Sequence, residues 1–192
     1  MIEQWINKLA LQAEASGDVD PKDLPIFRYG LQMMVEIGII FMTMLLVSLA
    51  FDKIIETAVW LFTIIIFRSI GEGYHAKTFK SCYFISVSIY LLTIASLELI
   101  PSVWFAQITL GCLVLVIILF AITSSLTLKH QSKETIDNRI FHKTRILLSF
   151  CFYFFVIYRL SQDTVSASVL AAMLGFLVTQ LSHFIKIKEW KK

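Results

Sequence analysis

Charge is what this chain has least of. Asp, Glu, Lys and Arg make up 16% of 192 residues, where soluble domains carry about a quarter. That scarcity excludes an ordinary soluble globule, whose helices need a polar face toward water. Only three prolines are present, so little interrupts long helices. Three cysteines, Cys82, Cys112 and Cys151, cannot all pair with one another, and none has Cys or His neighbours at zinc-site spacing. No metal and no cofactor is expected. Cys112 and Cys151 fall in apolar runs and read as small buried hydrophobes. The net charge of +3 is too small to point to a nucleic-acid partner. A cleavable signal peptide is not expected either, because residues 1–25 are polar and carry Glu3, Glu14, Asp18, Asp20 and Asp23.

What the chain has instead is apolar length: 57% of it is hydrophobic, with 16 Phe. Ile2, Trp5, Ile6, Leu9 and Ala13 recur at helical spacing with Glu3, Asn7, Lys8 and Glu14 between them. This is the pattern of a short amphipathic helix on a membrane surface. A loop from Ser16 to Pro21 follows, and Pro25 marks a second break. Six apolar stretches then run over approximately 28–51, 54–70, 82–100, 103–123, 144–161 and 165–187, each near the ~17–25 residues of a spanning helix. The second and fifth are the shortest. Asp52-Lys53, Pro101-Ser102 and Gln162-Asp163 are tight links that predict antiparallel hairpins, while 71–81 and 124–143 are longer and polar. The expected fold is all-α: a polytopic membrane helix bundle of six spans plus an N-terminal amphipathic interfacial helix. It is read as a single membrane domain over 1–192, divided into an N-terminal segment 1–25 and a bundle 26–192.

Lys and Arg placement sets the orientation. With six spans, all of the 17 Lys and Arg except Lys53 and Arg159 fall on the side of the two termini and the two long links. Both termini and both links are therefore expected in the cytoplasm.

One of those links carries the best candidate for chemistry: Arg68-Ser69-Ile70-Gly71-Glu72-Gly73-Tyr74-His75-Ala76-Lys77-Thr78-Phe79-Lys80-Ser81-Cys82. Gly71 and Gly73 permit backbone turns closed to other residues. His75 and Cys82 follow at the mouth of the third stretch. A thiol beside an imidazole can form a thiolate–imidazolium pair, a nucleophile at neutral pH, and Arg68, Lys77 and Lys80 add positive charge. On one continuous helix the two side chains would share a face but stand ~10 Å apart along the axis, so the link must fold back for proton transfer. On spacing alone, a surface His and a Cys at a helix start explain the pair equally simply.

Gly73-Tyr74-His75-Ala76, followed after six residues by Cys82, resembles the signature of the accessory gene regulator B family. Arg68 matches that family's basic position, and Arg28-Tyr29-Gly30-Leu31-Gln32 resembles the start of its first long helix. In the link 124–143, where family members often carry a Lys-Pro step, this chain has Lys129-His130-Gln131-Ser132-Lys133. The resemblance implies a cysteine endopeptidase of the bacterial cell membrane, with its active site cytoplasmic. Such an enzyme removes the C-terminal tail of a short quorum-sensing propeptide through a thioester and promotes closure of a thiolactone or lactone ring. Cys82 would be the nucleophile and His75 its base. The acidic tail of such a propeptide could be attracted by Lys129, Lys133, Arg139, Lys143 and Arg145; the same charges could only fix topology against anionic lipid.

Within the first long stretch, Arg28, Gln32 and Glu36 lie one turn apart. An ionisable group there is a functional candidate, and a side-chain amide such as Gln32 can donate to an oxyanion; pairing with Arg68 to hold the bundle together is the structural alternative. His183, near Thr179 and Gln180, reads as a packed, hydrogen-bonded residue, and Glu98 as interfacial. The short spans suggest a homodimer that covers polar groups. Two other function classes stay open: a small transporter or channel subunit with Glu36, Glu98 and His183 along its path, and a scaffold or receptor without catalysis. A transporter would be expected to show repeats or interrupted spans, which this sequence lacks.

Overall fold

The computed structural model describes residues 2–70, 78–130, 136–162 and 165–189. Among these residues the chain is almost entirely helical, without strands. The helices are α1 (Ile2–Ala15), α2 (Leu24–Ala50), α3 (Ile54–Ile70), α4 (Phe79–Leu99), α5 (Phe105–His130), α6 (Ile136–Ser161) and α7 (Ala167–Glu189), with a 3-10 turn at Ser102–Trp104 before α5. The amphipathic segment forms α1, which packs on α2 with Ile6 and Ala10 buried, while Trp5 stays exposed. Pro25 does not break the chain. It occupies the first turn of α2, where its missing N–H costs nothing.

Among the described residues, five helices are long and apolar enough to cross a membrane: Leu24–Ala50, Lys80–Leu99, Ser102–Leu126, Lys143–Ser161 and Ala167–Lys186. The expectation of six spans is corrected to five. The stretch 54–70 is helical, but α3 has 17 residues and so a length of ~26 Å, short of the ~30 Å hydrocarbon core. Its packing is unlike that of the outer helices: Thr57, Trp60, Thr63 and Phe67 are buried, chiefly against α7. The bundle as a whole exposes large apolar side chains such as Phe62, Leu92 and Phe154, far beyond what a soluble monomer shows and suited to acyl chains.

α7 is the centre. Leu170, Ala171, Ala172, Met173 and Phe176 are buried, and α3 and α5 pack on it. Small residues let backbones approach closely in membrane bundles. At Gly175 an added Cβ would lie 3.2 Å from the Trp60 carbonyl oxygen and 3.3 Å from its Cδ1. One apolar cluster joins Ile40, Met44, Trp60, Tyr90, Ile94 and Leu170. A second joins Phe67, Leu113, Val116, Tyr153, Val156 and Phe176.

Side-chain pairs fix the directions of the helices. Thr43 meets Tyr83 at 3.2 Å, and Lys53 meets Glu98 at 3.2 Å, so α2 and α4 run parallel. Phe176 stacks near Tyr153 while His183 meets Arg145, so α6 and α7 run antiparallel. The starts of α4 and α6 and the end of α7 consequently share one end of the bundle, opposite the Lys53–Glu98 pair.

The long link 124–143 is mostly helix. α5 continues to His130 and α6 begins at Ile136, so Lys129 and Arg139 fall within helices and not in a loop. Arg145, expected among the solvated charges of that link, is instead buried.

Candidate functional site

Cys82 sits in the first turn of α4. Thr78 caps this helix: its extended backbone (φ −132°, ψ 147°) lets the side-chain oxygen accept from the Ser81 N–H at 3.3 Å. The Cys82 N–H donates to the Thr78 carbonyl at 3.1 Å, the first helical bond of the thiol's own residue. The side chain is half-buried against the cluster around Tyr90 and Ile94. Next to it, Tyr83 reaches α2, where its hydroxyl lies 3.2 Å from Thr43 Oγ1, and Thr43 donates back to the Ile39 carbonyl at 2.9 Å. The thiol-bearing turn is thereby tied to α2. It also stands at a helix N-terminus, the positive end of the peptide dipoles.

The expected partners divide into three groups. His75, Gly71, Gly73 and Lys133 lie outside the described residues, so the proximity of His75 to Cys82 remains an expectation. Lys129 and Arg139 fall on α5 and α6, with side chains outside the description; Lys143 is exposed near the start of the α6 span. Gln32, Glu36 and Arg68 are placed. Gln32 Nε2 donates to Glu36 Oε1 at 2.8 Å, a one-turn pair within α2. Since α2 and α4 run parallel with Thr43 level with Tyr83, Glu36 stands about 9 Å beyond Cys82 along the axis, past the start of α4. Arg28, Tyr29 and Gln32 line an open cleft there with Leu24 and Pro25. Arg68 is half-buried in the last turn of α3, where a cation complements the carbonyl end of the dipole.

The remaining cysteines differ from expectation in one respect. Cys112 is half-buried within its helix, but Cys151 is exposed on α6. Among the described residues no cluster of His, Cys, Asp and Glu could hold a metal. Glu98 is partly exposed and paired with Lys53. His183 is packed and bonded, as its neighbours implied, and its partner is Arg145. That pairing was hidden because a lone Arg at the edge of an apolar run gives no signal of which way its helix face turns; Thr179, Gln180 and His183 close together on α7 were the one hint of a polar seam.

No curated protein and no solved structure shows a significant match to the chain. Residues 2–184, nearly the whole chain, match the family described as Accessory gene regulator B. On that match the protein belongs to the accessory gene regulator B family.

Proposed function

We propose that the chain is a membrane cysteine endopeptidase that removes the C-terminal tail of a quorum-sensing propeptide, with Cys82 as nucleophile and His75 as base. The family ties the chain to propeptide processing. The observation that carries the finer reading is the position of Cys82: half-buried, in the capped first turn of α4, at the bundle end that also holds Arg68 and the start of α6. In this mechanism His75 takes the thiol proton. The thiolate attacks the scissile carbonyl, and the oxyanion collapses to a thioester as His75 returns the proton to the departing amine of the tail. A thiol or hydroxyl within the peptide then attacks the thioester, closing a thiolactone or lactone and restoring the Cys82 thiol. A thioester at the rim of an apolar bundle is shielded from water, which favours ring closure over hydrolysis.

Gln32 and Glu36 form the supporting pair in this reading. Lys129, Lys133, Arg139 and Lys143 attract the acidic tail. The site faces the cytoplasm, and the working unit is a homodimer. The test is mass analysis of the protein co-expressed with its propeptide. A thioester on Cys82 that disappears with hydroxylamine is expected. Normal tail release by Cys82→Ala overturns the assignment.

A further inference from the structure

We propose that Arg145 anchors a binding site for the phosphate of an anionic phospholipid, set in the seam where α6 meets α5 and α7. Arg145, Ser149 and Tyr153 recur every fourth residue and share one face of α6. Opposite them on α7 stand Gln180 and His183. All are buried, Arg145 to 5% exposure and Gln180 to 3%.

The guanidinium is only partly satisfied. Nη1 bonds to His183 Nε2. An arginine cannot accept, so the imidazole nitrogen accepts and the ring proton sits on Nδ1; a neutral imidazole leaves the positive charge uncancelled. The guanidinium carbon also lies 5.7 Å from the Phe120 ring centroid. Nε and Nη2 have no hydrogen-bond partner. These two nitrogens form the side-on edge of the fork, where parallel N–H bonds match two oxygens of a single phosphate or carboxylate. Ser149 Oγ, the Tyr153 hydroxyl and Gln180 Oε1 are likewise buried and unpartnered. The Lys53–Glu98 ion pair is at the opposite end of the bundle. A buried cation without a counterion costs several kcal/mol, and an incoming anion removes that cost.

The surroundings select a lipid as its source. Arg145 stands two residues inside the apolar stretch Lys143–Ser161, the depth at which headgroups meet acyl chains. Lys143 is exposed at that level and adds a basic rim. On the outer side of α6, Leu147, Phe150 and Phe154 are exposed and can lie along acyl chains. α6 also packs more lightly on α7 than α3 or α5 does, so a tilt of α6 opens the seam laterally toward the bilayer.

The proposal is independent of the peptidase reading. Its test is native mass spectrometry and thermal unfolding of the full chain in neutral detergent, with dioleoylphosphatidylglycerol, dioleoylphosphatidylcholine, inorganic phosphate or an acidic peptide added. Phosphatidylglycerol should be retained and should raise the unfolding midpoint saturably; the other three should not. Arg145→Lys keeps the charge but loses the fork, and should weaken retention on the order of tenfold. Lys143→Gln should weaken it less. If Arg145→Lys fails to fold, Tyr153→Phe tests the same seam and should still weaken retention several-fold. Retention unchanged in the variant that folds overturns the proposal. Equal retention of inorganic phosphate, or retention of the acidic peptide in place of the lipid, overturns the lipid as the ligand.

Discussion

The side-chain amide of Gln32 has two N–H bonds, and the Glu36 carboxylate takes one of them at 2.8 Å. The second remains for a substrate oxygen, and a bond to the carboxylate holds the amide in one rotamer. Gln32 stands ~15 Å from Cys82 along the axis, too far to reach an oxyanion formed there. If its second N–H instead holds the propeptide, Gln32→Ala should raise KM several-fold with kcat and folded protein little changed. Turnover and protein level falling together would assign the pair to bundle stability. Glu36→Gln should then separate the two roles, since it keeps an acceptor for Gln32 but removes the charge. The same logic applies to His75, which this sequence offers as the base within reach of the link. His75→Ala should leave a slow residual cleavage that rises with pH as hydroxide replaces the imidazole, read from initial rates of tail release. A flat, near-normal profile would remove His75 from the mechanism.

Among the helices, the crossing of α3 and α7 is the most exposed to test. Gly175 sits against Trp60 and Thr63, and a Cβ there meets backbone oxygen at 3.2 Å. Gly175→Val adds three carbons at this contact and should cost about 1–3 kcal/mol, measured as a lower midpoint of unfolding in detergent. Gly111, where an added Cβ would meet nothing, is the control: Gly111→Ala should be neutral or slightly stabilising. The sequence made such elements legible where the signal was local. Apolar runs placed the long helices, the stripe with Ile6 marked α1, although Trp5 of that stripe is exposed and Ala10 outside it is buried, and the two-residue link Asp52-Lys53 gave the α2–α3 hairpin. It did not reveal that α3 is short for the bilayer, since a largely apolar run of 17 residues reads alike in a core helix and in a span. The ends of α5 and α6 were missed for a different reason. Lys129 and Arg139 suggested a solvated loop, but a helix can carry charges beyond the membrane edge. Of the candidate site, the place of Cys82 at the mouth of α4 could be read from spacing, whereas the expected pairing of Gln32 and Glu36 with Arg68 or another helix gave way to a bond between the two themselves. The Arg145–His183 contact could not, because it joins residues 38 apart in sequence.

At the scale of the whole molecule, the question is which end faces the cytoplasm. The structure supplies the two ends: Lys53 and Glu98 pair at one, and the turn that carries Cys82 lies at the other. The distribution of Lys and Arg predicts the assignment: among the described residues, Lys53 and Arg159 fall at the Lys53 end and the other Lys and Arg toward the opposite one. An α3 shorter than the bilayer does not change this sorting, provided that its flanking residues are reached by water through local thinning or side-chain extension. The prediction uses a background in which Cys112 and Cys151 are replaced by Ser. In it, a membrane-impermeant thiol reagent should miss Cys82 in intact cells and modify it after permeabilisation. A second chain in the same background, with Cys82→Ser and Lys53→Cys, should be modified in intact cells. The two reporters sit on opposite ends of one bundle, so the pattern must invert between them. If Cys82 reacts from outside, the orientation is reversed and a substrate delivered from the cytoplasm cannot reach it. If both react from outside, α3 does not carry the chain across, and the hairpin of α2 and α3 lies within one leaflet.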